Sequence, residues 1–549
     1  MAEITLGNQY NFLRHVITLE SIGIVPVLVG RGVVIGIGTS TRGPAMQLYG
    51  IAGSSPSLIR KTYYNGPLKE GLETAAGQGC SIVYGMRVLG ENYAIAELEV
   101  TDAALDPSGK FIATGPGQWG NIPTIKIEEG DYSGTKKETF NGNGALVTTP
   151  YVLLYNDLVE STVNFVKVAG TAKTIVYTGT PDPGEAYLNK ATGALSFATG
   201  EWPTTAQQIE VRYKYKSRKI TLQDEIGLPI VYNNITSLTM LAAKMKKDSI
   251  CTFTIEVGAT HLPQNMVATN MAGGTDGAAI TVDDWKLAFD TILETMPEQV
   301  IPSSIFATSY EATPGEWDIP PLMDAFLWQM GNKKTPCQGF VTLPADATAQ
   351  EIADYKEGYT NLFMTLLSNG YDNYEKDLAP ARAGQEAALG LGTSPATDSN
   401  SLKGVNGLLF QWTEPEREVL TYAGVEVLIK ETGVHCYVGV STDTDDNFRR
   451  TVDVRTICQC IIYVDQIVKK FLGEKRTQTN LARMDASIRV LLDKLLKASV
   501  LDTFDLGIKA NVGDHDAVDI TLKIQPVGHI ERVYTWMGVG YYNTEAIAA

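Results

Sequence analysis

The strongest constraint on what this chain can fold into lies between Asn447 and Trp536. Val454, Ile457, Ile461, Val464, Val468 and Phe471 recur every third or fourth position. That spacing lays an apolar stripe along one side of a helix. Gly473 and the polar run Glu474–Asn480 break it, and Leu481, Met484, Ile488, Leu491 and Leu495 then form a second stripe. Farther on, Val518, Ile520, Leu522 and Ile524 alternate with Asp519, Thr521, Lys523 and Gln525, the period of a strand with one buried face. A last extended piece, Ile530–Met537, follows Pro526. The predicted order is helix, helix, strand and extended tail, an α+β arrangement whose use periodicity does not reveal.

The 549 residues are enough for two to four domains, and a 44% hydrophobic content is ordinary for a globular protein. With 52 glycines and 24 prolines, turns and short strands are expected. A formal charge of −17 argues against a general nucleic-acid binder. No basic segment followed by an apolar run and a cleavage site opens the chain, so export by a signal peptide is not expected. The most apolar run, Ile22–Gly38, is broken by Pro26, Arg31 and several glycines and reads as two strands, without membrane insertion. The six cysteines, Cys80, Cys251, Cys337, Cys436, Cys458 and Cys460, contain no CxxC pair. Buried free thiols are the expectation, with intersubunit disulfides as the alternative.

Taken in order, residues 1–20 read as an arm: either a loose terminus or a β-prone segment around Val16, Ile17 and Leu19 that pairs with another subunit. Val33–Gly38 enters a turn at Arg42-Gly43-Pro44 as a strand would, and no GxxxxGK[ST] phosphate loop accompanies its glycines. Leu68, Leu72 and Ala75-Ala76 share one helical face, followed by a strand at Ser81–Val88. Gly115-Pro116-Gly117-Gln118-Trp119-Gly120-Asn121 is a turn-rich loop that holds one indole between glycines. Residues 122–220 read as an inserted all-β sandwich or barrel, with Asn189–Thr199 as a hairpin. Trp202 or Tyr187 could serve there as a carbohydrate stacking platform, though ordinary core aromatics are the simpler account. Residues 221–440 alternate helices and strands in α/β order, with Thr348 as a helix cap and an Ala/Gly-rich helix at Ala383–Leu391. An acidic linker, Thr442–Asp446, leads to the final domain.

The five histidines form no HExxH, and neither GxSxG nor another nucleophile signature occurs. Asp443-Thr444-Asp445-Asp446-Asn447 starts like a calcium loop, but Phe448 stands where the turn needs Gly and Val454 where it needs Glu. Gly513-Asp514-His515-Asp516 fits a polar hairpin turn better than a metal site. Neither a cofactor nor a catalytic site is expected. One charge pattern does stand out: residues 447–500 hold eleven basic and five acidic side chains, a local +6. This is either a solvated helix face or a surface that meets an acidic partner.

Several of these segments together resemble the contractile tail sheath proteins, which form the outer cylinder of contractile phage tails, bacteriocins and injection systems. Val454-Arg455 leading into a long helix that ends at Phe471-Leu472-Gly473 resembles their C-terminal domain. Arg42-Gly43-Pro44 is similar to the exit of their first core strand, and Gly384-Gln385-Glu386-Ala387-Ala388 to their Ala/Gly-rich helix. The Pro116-Gly117-Gln118-Trp119-Gly120-Asn121 run is the sharpest match, and the likeness spans roughly residues 20–121 and 230–540. The resemblance implies a multidomain α+β and α/β fold: an N-terminal arm at 1–20, sheath core at 21–121, a β-rich insertion at 122–220, an α/β middle at 221–440, the C-terminal core at 441–528 and a C-terminal arm at 529–549. It further implies a structural subunit, not an enzyme, that forms a helical homopolymer of stacked hexameric rings around a tail tube. Baseplate and tail terminator proteins would be its other partners, with no direct nucleic-acid contact, in a virion tail assembled in the host cytoplasm. Intersubunit strand exchange would engage Val16, Ile17, Leu19, Val518, Ile520, Leu522, Val533 and Trp536. Lys469, Lys470, Lys475, Arg476 and Arg483 would face the tube. A different self-assembling shell or surface-layer protein, or a secreted hydrolase with a β accessory module, are the rival readings.

Overall fold

A computed structural model describes residues 3–5, 32–144, 149–155, 158–225, 227–297, 300–310, 317–344, 346–445, 449–511 and 516–528. At its centre lies a sheet in the order Met364–Leu367, Gln338–Thr342, Ser304–Ala307, Val33–Gly38, Ile82–Arg87 and Tyr49–Ala52. All but the last strand run parallel. Parallel strands are covered on both faces, which is why Val33–Gly38, Ser304–Ala307 and Met364–Leu367 are continuously apolar or small instead of alternating. One face carries the helices Pro56–Tyr63, Pro67–Gly77 and Ala379–Ala388, packed around Leu68, Leu72, Phe306, Phe340 and Leu378. The other carries Val282–Thr295, Ile319–Asn332 and Ala349–Lys356, around Trp285, Phe289, Phe326, Met330 and Ile352. The small residues of Ala379–Ala388 have a direct use. A Cβ on Gly384 would stand 2.4 Å from the Ala75 carbonyl oxygen, so only glycine lets the two helices approach this closely.

Between Ile82–Arg87 and Ser304–Ala307 the chain leaves this sheet. Glu97–Thr101, Pro107–Ala113 and Cys251–Ile255 form a small antiparallel sheet, and among the described residues a ten-stranded sheet is built on two long strands, Thr124–Asn141 and Gln208–Gln223. These two strands serve two separate cores. Near the ends of the insertion, Ile125, Ile127, Ile220 and Leu222 pack with Phe111, Trp119, Ile235, Leu241 and Phe253. Beyond a register shift between Lys216 and Arg218, Ile209, Val211 and Tyr213 pack with Tyr151, Leu153, Val166, Leu188, Leu195 and Trp202. The β-rich stretch expected at 122–220 is therefore partly base and partly outlying unit. Strands Ile230–Ile235 and Met266–Asn270, which lie beyond it in sequence, pair with the same long strands. Trp202 is buried and stacked on Tyr151, so it is a core aromatic and not a sugar platform.

At the C-terminal end, Thr451–Val468 is buried almost all round, as a helix wedged between two bodies must be. Val454 and Cys458 join the central core, while Ile457, Val464, Val468 and Phe471 join the last one. Gln478–Lys497 follows as an amphipathic cover whose inner face is Met484, Ile488, Leu491 and Leu495. The predicted order of helix, helix, strand omitted one element. Leu501–Ala510 is a strand, paired antiparallel with Val518–Pro526, so the chain closes on a hairpin. The acidic stretch at 442 is no free linker at its start, because the Thr442 hydroxyl donates to the Asn361 carbonyl at 2.9 Å and accepts from the Asn361 N–H at 3.0 Å.

Candidate assembly surface and its joints

The hairpin aligns Phe504 with Ile524, Leu506 with Leu522 and Ile508 with Ile520. Alternation sends these side chains to one face, against Ile488, Leu491 and Leu495 of the cover helix. Ile520 and Leu522 are buried there and Val518 is half-buried. The outer edge of Val518–Pro526 takes a third strand, Glu3–Thr5, with Ile4 opposite Leu522 and Thr5 opposite Thr521. A piece of the N-terminus thus completes a sheet made by the C-terminus. Of the other arm residues, Val16, Ile17, Leu19, Val533 and Trp536 lie outside the described residues.

The basic residues do not form one face. Arg455 is turned inward, where its Nε is bonded to Glu386 and its Nη1 donates to the Gly390 carbonyl at 2.7 Å. Arg476 is half-buried and ties the hairpin's ends, its Nη1 donating to the Asn511 and Ala517 carbonyls at 3.1 and 3.2 Å. Arg449 reaches the Thr421 carbonyl and stacks over Tyr422. Lys469 is exposed and paired with Asp465 at 2.8 Å, one turn back. Lys470 is half-buried, Lys475 is exposed, and Arg483 is exposed near Glu474 and over the Phe471 ring. Lys469, Lys470, Lys475 and Arg483 remain grouped around the break between the two helices.

Two arginine-centred joints tie the outer parts of the chain to the central sheet, the first at the C-terminal helices and the second at the insertion. In the first, Arg382 on Ala379–Ala388 meets Glu426 through Nε at 2.7 Å and Glu386 through Nη1 at 2.6 Å, and Arg455 closes on Glu386 from the wedged helix. Burial works against ionising Glu386, yet Arg455 and Arg382 hold its carboxyl below the usual carboxylate range. Glu426 has only one arginine, and burial pushes its carboxyl up. In the second joint, Arg42 makes a two-pronged pair with Asp224, at 2.6 Å on both prongs, and lies between the rings of Tyr64 and Trp119. Arg87, fully buried, donates to the carbonyls of Ser40, Thr41, Gly43 and Pro116 and meets Asp276 at 3.3 Å. Burial lowers its pKa to about 10, which leaves it charged at neutral pH. These two guanidinium groups grip the segments by which the chain leaves and re-enters the central sheet. The Trp119 indole is locked into the same joint by donating to the Pro116 carbonyl at 3.0 Å.

With this geometry in hand, solved structures supply the comparison. A sheath tail protein from Desulfitobacterium hafniense matches with a TM-score of 0.54 at 12% identity, over 95% of this chain and 99% of that one. A sheath tail protein from Listeria innocua matches with a TM-score of 0.57 at 13% identity, over 91% of this chain and 93% of that one. The chain has the sheath tail protein fold. No protein-family model and no curated protein matches the sequence.

In this sheath fold the crevice where doubly wound sheets usually bind ligands is closed to anions by the chain itself. The parallel strands are ordered second, first, third, fourth, fifth, so the switch point falls between Val33–Gly38 and Ser304–Ala307. A cavity of about 270 Å³ opens at that end, lined by Glu70, Glu375 and Asp377 against a single cation, Lys376. Pro67 offers no N–H, the Leu68 N–H donates to Thr39, and Asp377 Oδ1 accepts from the Ala379 N–H, so both helix starts are already satisfied. Burial lifts the Asp377 carboxyl to about 6. Among the described residues no cluster of His, Cys, Asp or Glu could hold a metal, and no helix is long and apolar enough to cross a membrane. All six cysteines are buried free thiols. Sequence reasoning missed Arg42, Arg87, Arg382 and Glu426 as joint residues, because the pairs Arg42–Asp224, Arg87–Asp276 and Arg382–Glu426 span long stretches of chain.

Proposed function

We propose that this chain is the sheath subunit of a contractile tail or injection system. It polymerises around an inner tube, as stacked hexameric rings, and contracts to drive that tube through an envelope. What carries the reading is the fold likeness to sheath tail proteins, which extends over nearly the whole length of both partners. The work is mechanical, and no catalytic step is assigned to any residue. Residues 1–20 and 529–549 act as arms that exchange with neighbours; the pairing of Ile4 with Leu522 supports this, because the same edge can accept the same strand from a second copy. Val16, Ile17, Leu19, Val533 and Trp536 would extend that exchange around Val518, Ile520 and Leu522. Lys469, Lys470, Lys475 and Arg483 would face an acidic tube, with Arg476 fixing the hairpin behind them. Baseplate and terminator proteins would cap the polymer in a virion tail assembled in the host cytoplasm.

The test is electron microscopy of the purified chain beside a variant lacking residues 1–18. Full-length protein should form hollow tubes of uniform diameter, and the truncated protein should stay folded but unassembled. Normal tubes from the truncated chain would remove the arm, and no ordered polymer from the intact chain under any condition would remove the sheath reading.

A further inference from the structure

The N-terminal ends of the parallel strands, opposite the crevice, meet the Thr451–Val468 helix, and three buried polar atoms there have no hydrogen-bond partner among the described residues: Ser303 Oγ, Gln338 Oε1 and Gln459 Nε2. They come from three elements. Ser303 precedes Ser304–Ala307, Gln338 opens Gln338–Thr342, and Gln459 lies midway along the helix. All three residues line one cavity of about 20 Å³, whose remaining wall is Glu386, Leu391, Arg455 and Cys458. The other polar groups around it are engaged: Gln338 Nε2 donates to the Thr451 carbonyl at 2.7 Å, and both oxygens of Glu386 are held by Arg382 and Arg455.

Buried polar atoms are seldom left bare, and about 10–15 Å³ of such space is enough for one water with several polar partners. A space of about 20 Å³ suits one water. A cation is disfavoured by the Arg455 guanidinium in the same wall, and an anion by the Glu386 carboxylate. We propose that one ordered water occupies this cavity, donating to Gln338 Oε1, accepting from Gln459 Nε2 and sharing its remaining bond with Ser303 Oγ. The seam between the C-terminal helix and the central sheet is then a hydrated polar cluster that continues the Arg382, Glu386 and Arg455 network. Its register is specified by directional bonds, where apolar packing alone would let the helix slide.

The sign of a stability change tests this. Gln459→Met keeps the side chain's length and removes the amide. With the water present it strips away one of three bonds, and the melting temperature of the unassembled chain falls, by roughly 2 °C. Without the water it relieves a bare buried donor, and the melting temperature holds or rises, which would overturn the proposal. If Gln459→Met does not fold, Ser303→Ala gives the same opposed signs. A map at a resolution that shows ordered water should place a peak within hydrogen-bond reach of all three atoms. A blank cavity in a map that shows other interior waters would also overturn it.

Discussion

At the scale of single residues, the chain invests its buried charge in joints. Arg382, Arg455, Glu386 and Glu426 balance to zero only while all four are present, so removing one leaves an uncompensated charge in the interior. Glu386→Gln should therefore cost about 3–5 kcal/mol, read as a lowered denaturant midpoint of the unassembled chain. A loss within the range of ordinary surface substitutions would show the network to be incidental. Asp377 gives a test with pH. Its carboxyl rises from an ordinary value of 3.8 to about 6 on folding, so the folded chain binds that proton more tightly than the unfolded one. The group's contribution to stability is then largest at low pH and declines as pH rises from about 4 to 6. Asp377→Asn should raise the melting temperature at pH 7.5, and the gain should shrink as pH falls toward 4; a gain that is flat with pH would refute the shift. Neither cluster was legible in the sequence. Arg455 read as one charge in a basic stretch, because nothing local tells a helix's inward arginine from its outward ones when the partner, Glu386, is about seventy positions away.

At the scale of elements, periodicity was informative wherever one face is buried and poor where exposure is mixed. The stripes ending at Phe471 and Leu495 became the helices Thr451–Val468 and Gln478–Lys497, and Val518–Pro526 became a strand. Leu501–Ala510 was missed although Phe504, Leu506 and Ile508 alternate, because Asp502 falls in the same alternation, beside the register shift between Leu501 and Thr503, and breaks the pattern at its start. The full length of the two long strands of the insertion was not read from the sequence, because it does not announce where one core hands over to the next. That handover is the register shift at Lys216 and Arg218, opposite Ser133 and Glu129. There Gly130 packs so close to Ser217 that a Cβ would lie 2.3 Å from its Oγ. Excising residues 131–217 with a short Gly/Ser bridge should leave the base core of Ile125, Ile127, Ile220 and Leu222 intact. Circular dichroism and limited proteolysis should report a folded remainder. Removing 122–220 instead should unfold the base, because it takes Ile125, Ile127 and Ile220 away and leaves Leu222 without its strand. If both deletions behave alike, the two cores are one cooperative unit.

At the scale of the whole molecule, the layout suits a part that moves as a body. Two buried arginine joints fix the insertion and the C-terminal helices to the central sheet, while Glu3–Thr5 pairs with the outer edge of the C-terminal hairpin. Rigid-body rearrangement needs such stiff interiors and compliant connections between copies. The basic cluster belongs to this scale as well. Reversing the charge of Lys469, Lys470 and Lys475 should weaken the hold on an acidic tube and favour empty polymers over tube-filled ones. The intact chain's hold should also loosen as salt shortens the screening length to about 3 Å near 1 M. Arg476 is left out of that variant because it binds the hairpin's carbonyls. Filled polymers of normal number and salt tolerance would assign those lysines to solvation alone. The central claim, that this fold self-assembles through exchanged strands, is tested most directly by a cryo-electron-microscopy map of the polymer formed by the full chain. The account predicts a helical tube in which the Val518–Pro526 edge is paired with an N-terminal strand traced to a neighbouring subunit. A polymer whose hairpins are completed only by each chain's own Glu3–Thr5, with no strand crossing between copies, would contradict it.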